Sequence, residues 1–306
     1  VNYNGGEILS ACLKSLSKTK YPNYELIVVD NGSSDGSVEL VQSSKFKVQS
    51  HNLKLKVIKK KENLGFAKGN VVAFEKARGK YVLLLNGDTE IEPNWLDRLV
   101  AFAEKHPEGG VFGPKILFFE DKKTINSAGG LCDIFGYSPL RGTFDRDSAE
   151  YNTPQTIFYA HGAAMMARKS LINKIGFLDD TYFIYYEEMD FCWRAWLSGS
   201  KVYYVPDSIV YHKLKKRYFY QKEKLAQRQF LVKKNRIRTI IKNHKSVYLI
   251  IISLFLNLII SFTELFLLII KGDFESPKGI IKAFWWNIKV LDDTLKERKK
   301  VQLLYE

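Results

Sequence analysis

Over roughly its first 115 residues the chain alternates apolar runs that end in small polar turns with segments carrying apolar residues at helical spacing. The run in YELIVVDNGSSDGS is continuous up to Asp30, as a strand buried on both faces requires. Ser34 or Asp35 stands where it can cap a helix beginning near Ser37. A short strand over 55–59, a helix over 66–78, the strand KYVLLLNGD and a helix in IEPNWLDRLVAFAEKH follow, the last with Pro93 near its start. This alternation predicts an α/β domain built on a mainly parallel sheet. Ligands of such sheets gather at the carboxyl ends of strands, where Asp30 and Asp88 fall.

The segment 115–156 is loop-rich, FYAHGAAMMARKS reads as another strand, and KVYYVPDSIVYH supplies short strands that close the domain. Between them, YFIYYEEMDFCWRAW sets Glu187, Glu188 and Asp190 in an aromatic run. Burying ionised carboxylates is costly unless they are paired, so these acids either cap a helix or serve a site that needs negative charge. The helix is expected to run to about Leu197, with Gly199 ending it. VNYN at the start reads as the end of a strand, so further residues are expected upstream.

A chain of 306 residues with 46% hydrophobic and 14% aromatic residues holds one large core or two smaller ones and is not disordered. Cys12, Cys132 and Cys192 form no CxxC pair, which argues against structural zinc and for a reducing compartment. The net charge of +14 is uneven: residues 1–212 hold 26 Lys and Arg against 25 Asp and Glu, and residues 213–306 hold 21 against 8. The run 213–245, with 13 basic residues and one acid, fits nucleic acid or an anionic membrane surface. Residues 247–270 are apolar and long enough to span a bilayer, with Glu264 as their one charge. Ser253, Asn257, Ser261 and Glu264 form a polar stripe along that helix. It would pack a spanning helix on another helix, or turn a monotopic one toward the protein or the headgroups; a soluble helical subdomain is the third reading. GIIKAFWWNIKVLDDTLKERKK is a second amphipathic helix, with Trp285 and Trp286 suited to an interface.

VVDNGSSDGS, ENLGFAKGN, LLLNGDTEIEP, YYEEMDFCWRAW and the histidine of VYH occur in that order, and the ordered set resembles glycosyltransferase family 2, nearest its rhamnosyltransferase-like branch. The likeness covers roughly residues 1–215. It implies a GT-A catalytic domain over 1–215, followed by a basic and hydrophobic, membrane-associating helical region over 216–306. It also implies inverting transfer of a sugar from a dTDP- or UDP-linked donor to a lipid-linked glycan acceptor at the cytoplasmic face of the membrane, peripherally or with a single span.

By the same resemblance Asp30 contacts the base or ribose of the nucleotide, with Asn2, Tyr3 and Asn4 beside it. Asn63, Gly65 and Lys68 of NLGFAKGN approach the diphosphate. Asn86, Gly87 and Asp88 stand where the family has its DxD-like motif, Asn86 replacing the first acid. Asp88 and His212 would hold a divalent cation, Mn²⁺ or Mg²⁺. Gly162 lets a sugar approach, and His161 either touches substrate or packs in the core. Glu188 is the expected general base, Glu187 the runner-up, and Asp190 a third acid that pairs with Arg194 in the alternative.

Two other functions compete. A sugar nucleotidyltransferase needs a glycine- and basic-rich phosphate loop, and VNYNGGEI has Gly5 and Gly6 without the basic residues. Nucleic-acid binding would use the basic run, but that run abuts an apolar span rather than a recognition motif, so no nucleic-acid partner is expected.

Overall fold

The structure, a computed structural model, describes residues 1–42, 54–213 and 222–305. Asn2 bridges Asp30 in parallel, so the opening residues do pair as a strand end. Helix α1 (Gly6–Leu16), which the sequence reading did not anticipate, follows and buries Leu9, Cys12, Leu13 and Leu16. β1 (Glu25–Asp30) pairs in parallel with β2 (Lys54–Lys59). Between them α2 (Ser37–Gln42) opens where Asp35 Oδ1 accepts the Ser37 N–H at 3.1 Å, so Asp35 is the cap. α3 (Gly65–Phe74) stops short of the expected end at 78 and gives way to a turn. β3 (Tyr81–Leu85), β4 (Thr89–Ile91) and α4 (Trp95–Lys105) come next.

The second sheet corrects the expectation of a mainly parallel one. It comprises β5 (Gly109–Phe118), β6 (Ile125–Ser127), β7 (Gln155–Thr156), β8 (Ala164–Arg168) and β9 (Lys201–His212) together with β3 and β4. Its order is β3-β8-β5-β9-β4, with β6 on β5 and β7 on β9. Only β5 and β9 run parallel; every other pair is antiparallel. The chain reaches β8 and β9 through long excursions rather than tight βαβ crossovers, so helix–strand alternation did not set their direction.

β5 begins before the segment read as loop and runs into it. Its glycines hid the strand pattern, yet they are required: a Cβ on Gly110 would lie 2.5 Å from Leu171. β9 is one strand rather than several; its register with β5 shifts between Pro114 and Lys115, carrying residues 206–208 out as a bulge. α5 (Lys169–Ile175) and α6 (Glu187–Leu197) cover the sheet, and α6 packs Met189, Phe191 and Cys192 into the main core.

The C-terminal region is helical: α7 (Lys222–Asn243), α8 (Val247–Ile270), α9 (Glu275–Lys289) and α10 (Leu291–Gln302). The second expected amphipathic helix is thus two, meeting at Val290. The boundary expected at 215, and the part of the basic run over 214–221, lie outside the described residues. The stripe on α8 faces the protein: Ser253 donates to Ile134 O at 2.8 Å, Asn257 to Phe135 O at 3.1 Å, and Lys233 reaches both Ser261 at 3.0 Å and Glu264 at 2.5 Å. Of the two tryptophans, Trp285 is exposed, whereas Trp286 stacks under Lys234 of α7 at 4.3 Å.

Candidate active site

The turn after β3 carries Asn86, Gly87 and Asp88. The Asn86 N–H donates to Ala163 O at 2.9 Å and ties this turn to the 161–163 segment. β4 then pairs Thr89 with His212, and this register sets Asp88 Oδ1 3.3 Å from His212 Nε2. The buried His212 has its Nδ1 3.0 Å from Asn126 Oδ1. Because Asn126 Oδ1 can only accept, Nδ1 carries the proton, and Nε2 faces a carboxylate. That approach is stable only with a proton or a cation between the two atoms. Burial raises the Asp88 pKa, but the His212 hydrogen bond and charge outweigh it and hold the carboxyl below its ordinary range. Asp88 and His212 therefore fit a hard-to-borderline divalent cation as one oxygen and one nitrogen ligand. Among the described residues no third His, Cys, Asp or Glu joins them, so phosphate oxygens and water would complete such a shell.

His161, 5.9 Å from His212 ring to ring, accepts the Ala163 N–H on its Nδ1 at 3.2 Å. Burial, reinforced by His212, lowers its pKa to about 3 despite the pull of Asp88. It is a neutral histidine, partly accessible beside the Asp88–His212 pair.

Three bulky residues before α6 have left-handed backbones: Phe183 at φ 67°, Tyr185 at 74° and Tyr186 at 73°. Each such residue stores about 1–3 kcal/mol of strain, so the surroundings must hold the loop. They do so from two sides. Phe183 O accepts the Phe66 and Ala67 N–H groups of α3 at 2.6 and 3.1 Å. From α7, Asn235 Nδ2 lies 3.0, 2.9 and 2.7 Å from the carbonyls of Tyr182, Ile184 and Tyr185. Gly65, at φ +82°, permits this closeness, since a Cβ there would sit 2.5 Å from the Phe183 ring.

This loop delivers Glu187 and Glu188 to the start of α6. A Cβ on Gly162 would lie 3.4 Å from the Glu188 carboxylate, and the nearby backbone N–H groups of Glu188, Gly162 and Met189 favour its charged form. Glu187 is buried, and Oε2 of each acid has no partner. Burial raises both pKa values; that of Glu187 goes further because the Glu188 charge adds to it. The pair releases its protons in two steps that belong to both acids.

Asp190 corrects an expectation. It is fully buried and engages Arg194 Nε at 3.0 Å, Asn243 Nδ2 at 3.0 Å, Lys242 at 3.1 Å and the Tyr182 hydroxyl at 3.2 Å. Burial raises its pKa, but Lys242 and Arg194 more than offset this. It fixes α6 to α7 and is not a catalytic acid.

At the carboxyl end of β1, Asp30 Oδ1 accepts from Asn2 Nδ2 at 2.9 Å and Ser33 Oγ at 2.5 Å, and its Oδ2 accepts the Ser33 N–H at 3.1 Å. The Asn2 amide is also within 3.0 Å of Ser33 Oγ and 2.9 Å of Ser37 Oγ, so Asn2 shapes the turn rather than presenting itself to a ligand. Asn4 accepts the Ser34 N–H at 2.9 Å, while Tyr3 is exposed. Asn63 caps α3 by accepting the Gly65 N–H at 2.9 Å, and Lys68 projects from the first turn into solvent.

A family model described as Glycosyl transferase family 2 matches residues 1–176, more than half of the chain. The chain belongs to glycosyl transferase family 2. An N-acetylglucosaminyl-diphospho-decaprenol L-rhamnosyltransferase of Mycobacterium tuberculosis is 25% identical over 237 residues, 69% of this chain and 74% of the relative. The mannosyltransferase PcManGT of Pyrobaculum calidifontis, solved with GDP-Man and Mn²⁺, superposes with a TM-score of 0.59 at 14% identity over 99% of this chain and 83% of that one. S. aureus TarS 1-349, solved with UDP-GlcNAc, gives 0.58 at 20% identity over 99% and 88%. These likenesses establish a GT-A-like α/β fold. The chain spans 23%, 63% and 59% of the length of three further curated relatives.

In this family 2 chain, then, Glu188, Gly162, His161, His212 and Asp88 are linked by successive contacts, with the Phe66 ring beside Gly162. The sequence reading missed three supports. Asn126, which orients His212, lay in the segment read as loop. Asn31, whose Nδ2 donates to Gly65 O at 2.9 Å, stood unremarked inside the quoted VVDNGSS. Asn235 sat in a run read only for its charge.

Proposed function

We propose that the chain is an inverting glycosyltransferase that moves a sugar from a nucleotide-diphosphate donor, dTDP- or UDP-linked, to a hydroxyl of a lipid-linked glycan at the cytoplasmic face of a membrane, in cell-surface polysaccharide synthesis. Rhamnose is the sugar favoured by the relative named above. The observation that carries the reading is that Gly162 meets the carboxylate of Glu188, whose pKa is raised, while its neighbour His161 lies 5.9 Å from the His212 ring of the Asp88–His212 pair. The acceptor oxygen attacks the anomeric carbon, its proton passes to Glu188, and the bond to the diphosphate breaks as the nucleoside diphosphate leaves. Asp88 and His212 would hold Mn²⁺ or Mg²⁺, which when bound offsets the charge of the leaving diphosphate. Asp30 and Asn31 shape the nucleotide end. Glu187, buried beside Glu188, is the runner-up base.

Screening nucleotide sugars by thermal shift, with Mn²⁺ and with chelator, tests this. One donor should stabilise the protein in a metal-dependent way and be transferred or hydrolysed. Full activity in Asp88→Ala would remove the metal assignment. Release of pyrophosphate from a sugar phosphate and a nucleoside triphosphate would replace the reading with nucleotidyl transfer.

A further inference from the structure

Helix α8 has a mean hydropathy of 2.3 over its most apolar window, of which only 22% is buried. Tyr248, Ile251, Phe255, Phe262, Phe266 and Ile270, each at least 60% exposed, line one side from end to end, about 36 Å at 1.5 Å per residue. Soluble proteins rarely leave so long an apolar face uncovered. Its one acid, Glu264, points the other way, to Lys233. The face continues through Phe274 onto α9, where Ile281, Trp285 and Ile288 are exposed. Lys278, Lys282 and Lys289 lie about 70° round α9 from these three at 100° per residue, and all are exposed. Leu258, Phe262 and Leu265 of α8 meet Ile281, Phe284 and Trp285 of α9 across a shallow apolar groove.

Length and composition alone would let α8 cross a bilayer, but its neighbours oppose this. α9, which follows it, packs along α7, which precedes it. A Cβ on Gly279 would lie 2.2 Å from Ala226 O, and Asn287 donates to Lys234 O at 3.1 Å. Both ends of α8 are therefore held on one side. Crossing would also strip Ser253, Asn257 and Ser261 of their partners in hydrocarbon.

We propose that α8 and α9 form a monotopic docking surface that lies in the plane of an anionic lipid leaflet without crossing it. The α8 face enters the acyl region, Trp285 sits at the headgroup level, and the α9 lysines extend past the apolar face to lipid phosphates. Charge complementarity selects this occupant: Lys245 and Lys271 at the ends of α8 and Lys278, Lys282 and Lys289 along α9 are exposed, and the α8 face has no charge with which to specify a soluble partner. The inference deepens the membrane location given above and does not depend on which sugar is moved.

Flotation of the full chain with vesicles of phosphatidylcholine alone, or mixed with phosphatidylglycerol, tests it. Binding should be at least tenfold stronger to the mixed vesicles and fall at least tenfold in Phe255→Glu/Phe262→Glu, with the metal-dependent thermal shift by donor retained. Should that variant fail to fold, Lys278→Ser/Lys282→Ser/Lys289→Ser should lose the preference for anionic vesicles while keeping the shift. Sidedness is read in a Cys132→Ser background from Lys245→Cys and Lys271→Cys, which flank α8. An impermeant thiol reagent outside sealed vesicles should label both. Labelling of one alone means a span and overturns the proposal, as does dimerisation through this face without vesicle binding. A wild-type chain that binds vesicles but no nucleotide sugar would defeat the glycosyltransferase reading and leave this one standing.

Discussion

Nδ2 of Asn235, on α7, lies 2.7 Å from the carbonyl oxygen of Tyr185, whose left-handed backbone leads into Glu187 and Glu188. One amide from the C-terminal region, with two hydrogens to donate, thus lies among three carbonyls of the loop that aims the acid pair. Asn235→Ala takes the side-chain donor from the Ile184 and Tyr185 carbonyls and leaves α3 alone to hold the loop through Phe183 O, at about 1–3 kcal/mol. Asn235→Asp should be worse than Ala, because a carboxylate would face three carbonyl oxygens. Turnover should fall more than donor affinity in both. Single-turnover transfer normalised to folded protein, beside donor titration, checks this; equal loss of affinity and turnover would make Asn235 a folding residue only.

Glu188→Gln keeps size and most hydrogen bonding but cannot take a proton. Transfer should drop about 10²–10⁴-fold, with donor binding retained. Glu188→Asp shortens the reach and should keep partial activity, and Glu187→Gln should cost less. If the acids merely opened the helix, the Gln variants would lose stability and keep their turnover, so wild-type rates in Glu188→Gln end the assignment.

The acid pair also sets a pH dependence whose sign is opposite to the usual one for carboxylates. Both folded pKa values are raised, Glu187 by burial and by Glu188, and Glu188 by burial. The folded state then binds protons more tightly than the unfolded chain, so these groups lower stability as pH rises above about 4.3, the unfolded value. Glu187→Gln should have nearly the wild-type Tm at pH 4 and exceed it increasingly toward pH 8. Asp179 behaves conversely. Burial raises its pKa, but Lys242 and Arg238, at 2.6 and 3.0 Å, outweigh it and depress the folded value. Its stabilisation is present above about pH 4 and is lost as pH falls through the depressed folded value. Thermal melts of wild type, Glu187→Gln and Asp179→Asn between pH 3 and 8 separate the two contributions; a constant Tm gap for Glu187→Gln would refute the raised pKa.

What the sequence disclosed were features fixed by local pattern. The apolar run to Asp30, the NGD turn and the acidic start of α6 each combine a strand end or helix start with polar residues that have little other use there. β5 was hidden because glycines that let Leu171 and Ser200 come close also erase the apolar alternation. The antiparallel order was hidden because register is set across long separations, as when Thr89 meets His212. The polar stripe on α8 was visible as a pattern, but its direction depends on carbonyls at Ile134 and Phe135 that no periodicity reveals. Asp190 looked like a third site acid, and only its buried partners on α7 give it a structural role.

The same kind of hidden partner governs the last prediction. Asn126 Oδ1 fixes the proton of His212 on Nδ1 and turns Nε2 toward Asp88. Supports of this kind are typically worth 10–100-fold in metal affinity. Asn126→Leu removes the acceptor, leaves the tautomer unspecified, and should weaken Mn²⁺ binding by about that factor, while nucleotide binding in chelator stays near wild type. Asn126→Asp keeps an acceptor for Nδ1 and should retain Mn²⁺ better than Leu. The paramagnetic resonance of unbound Mn²⁺, titrated with protein and nucleoside diphosphate, reads affinity without any turnover. His212→Ala should match or exceed the Leu effect. If Asn126→Leu binds Mn²⁺ like wild type while His212→Ala does not, His212 needs no orientation by Asn126; if neither changes, His212 is a packed histidine and Asp88 stands alone.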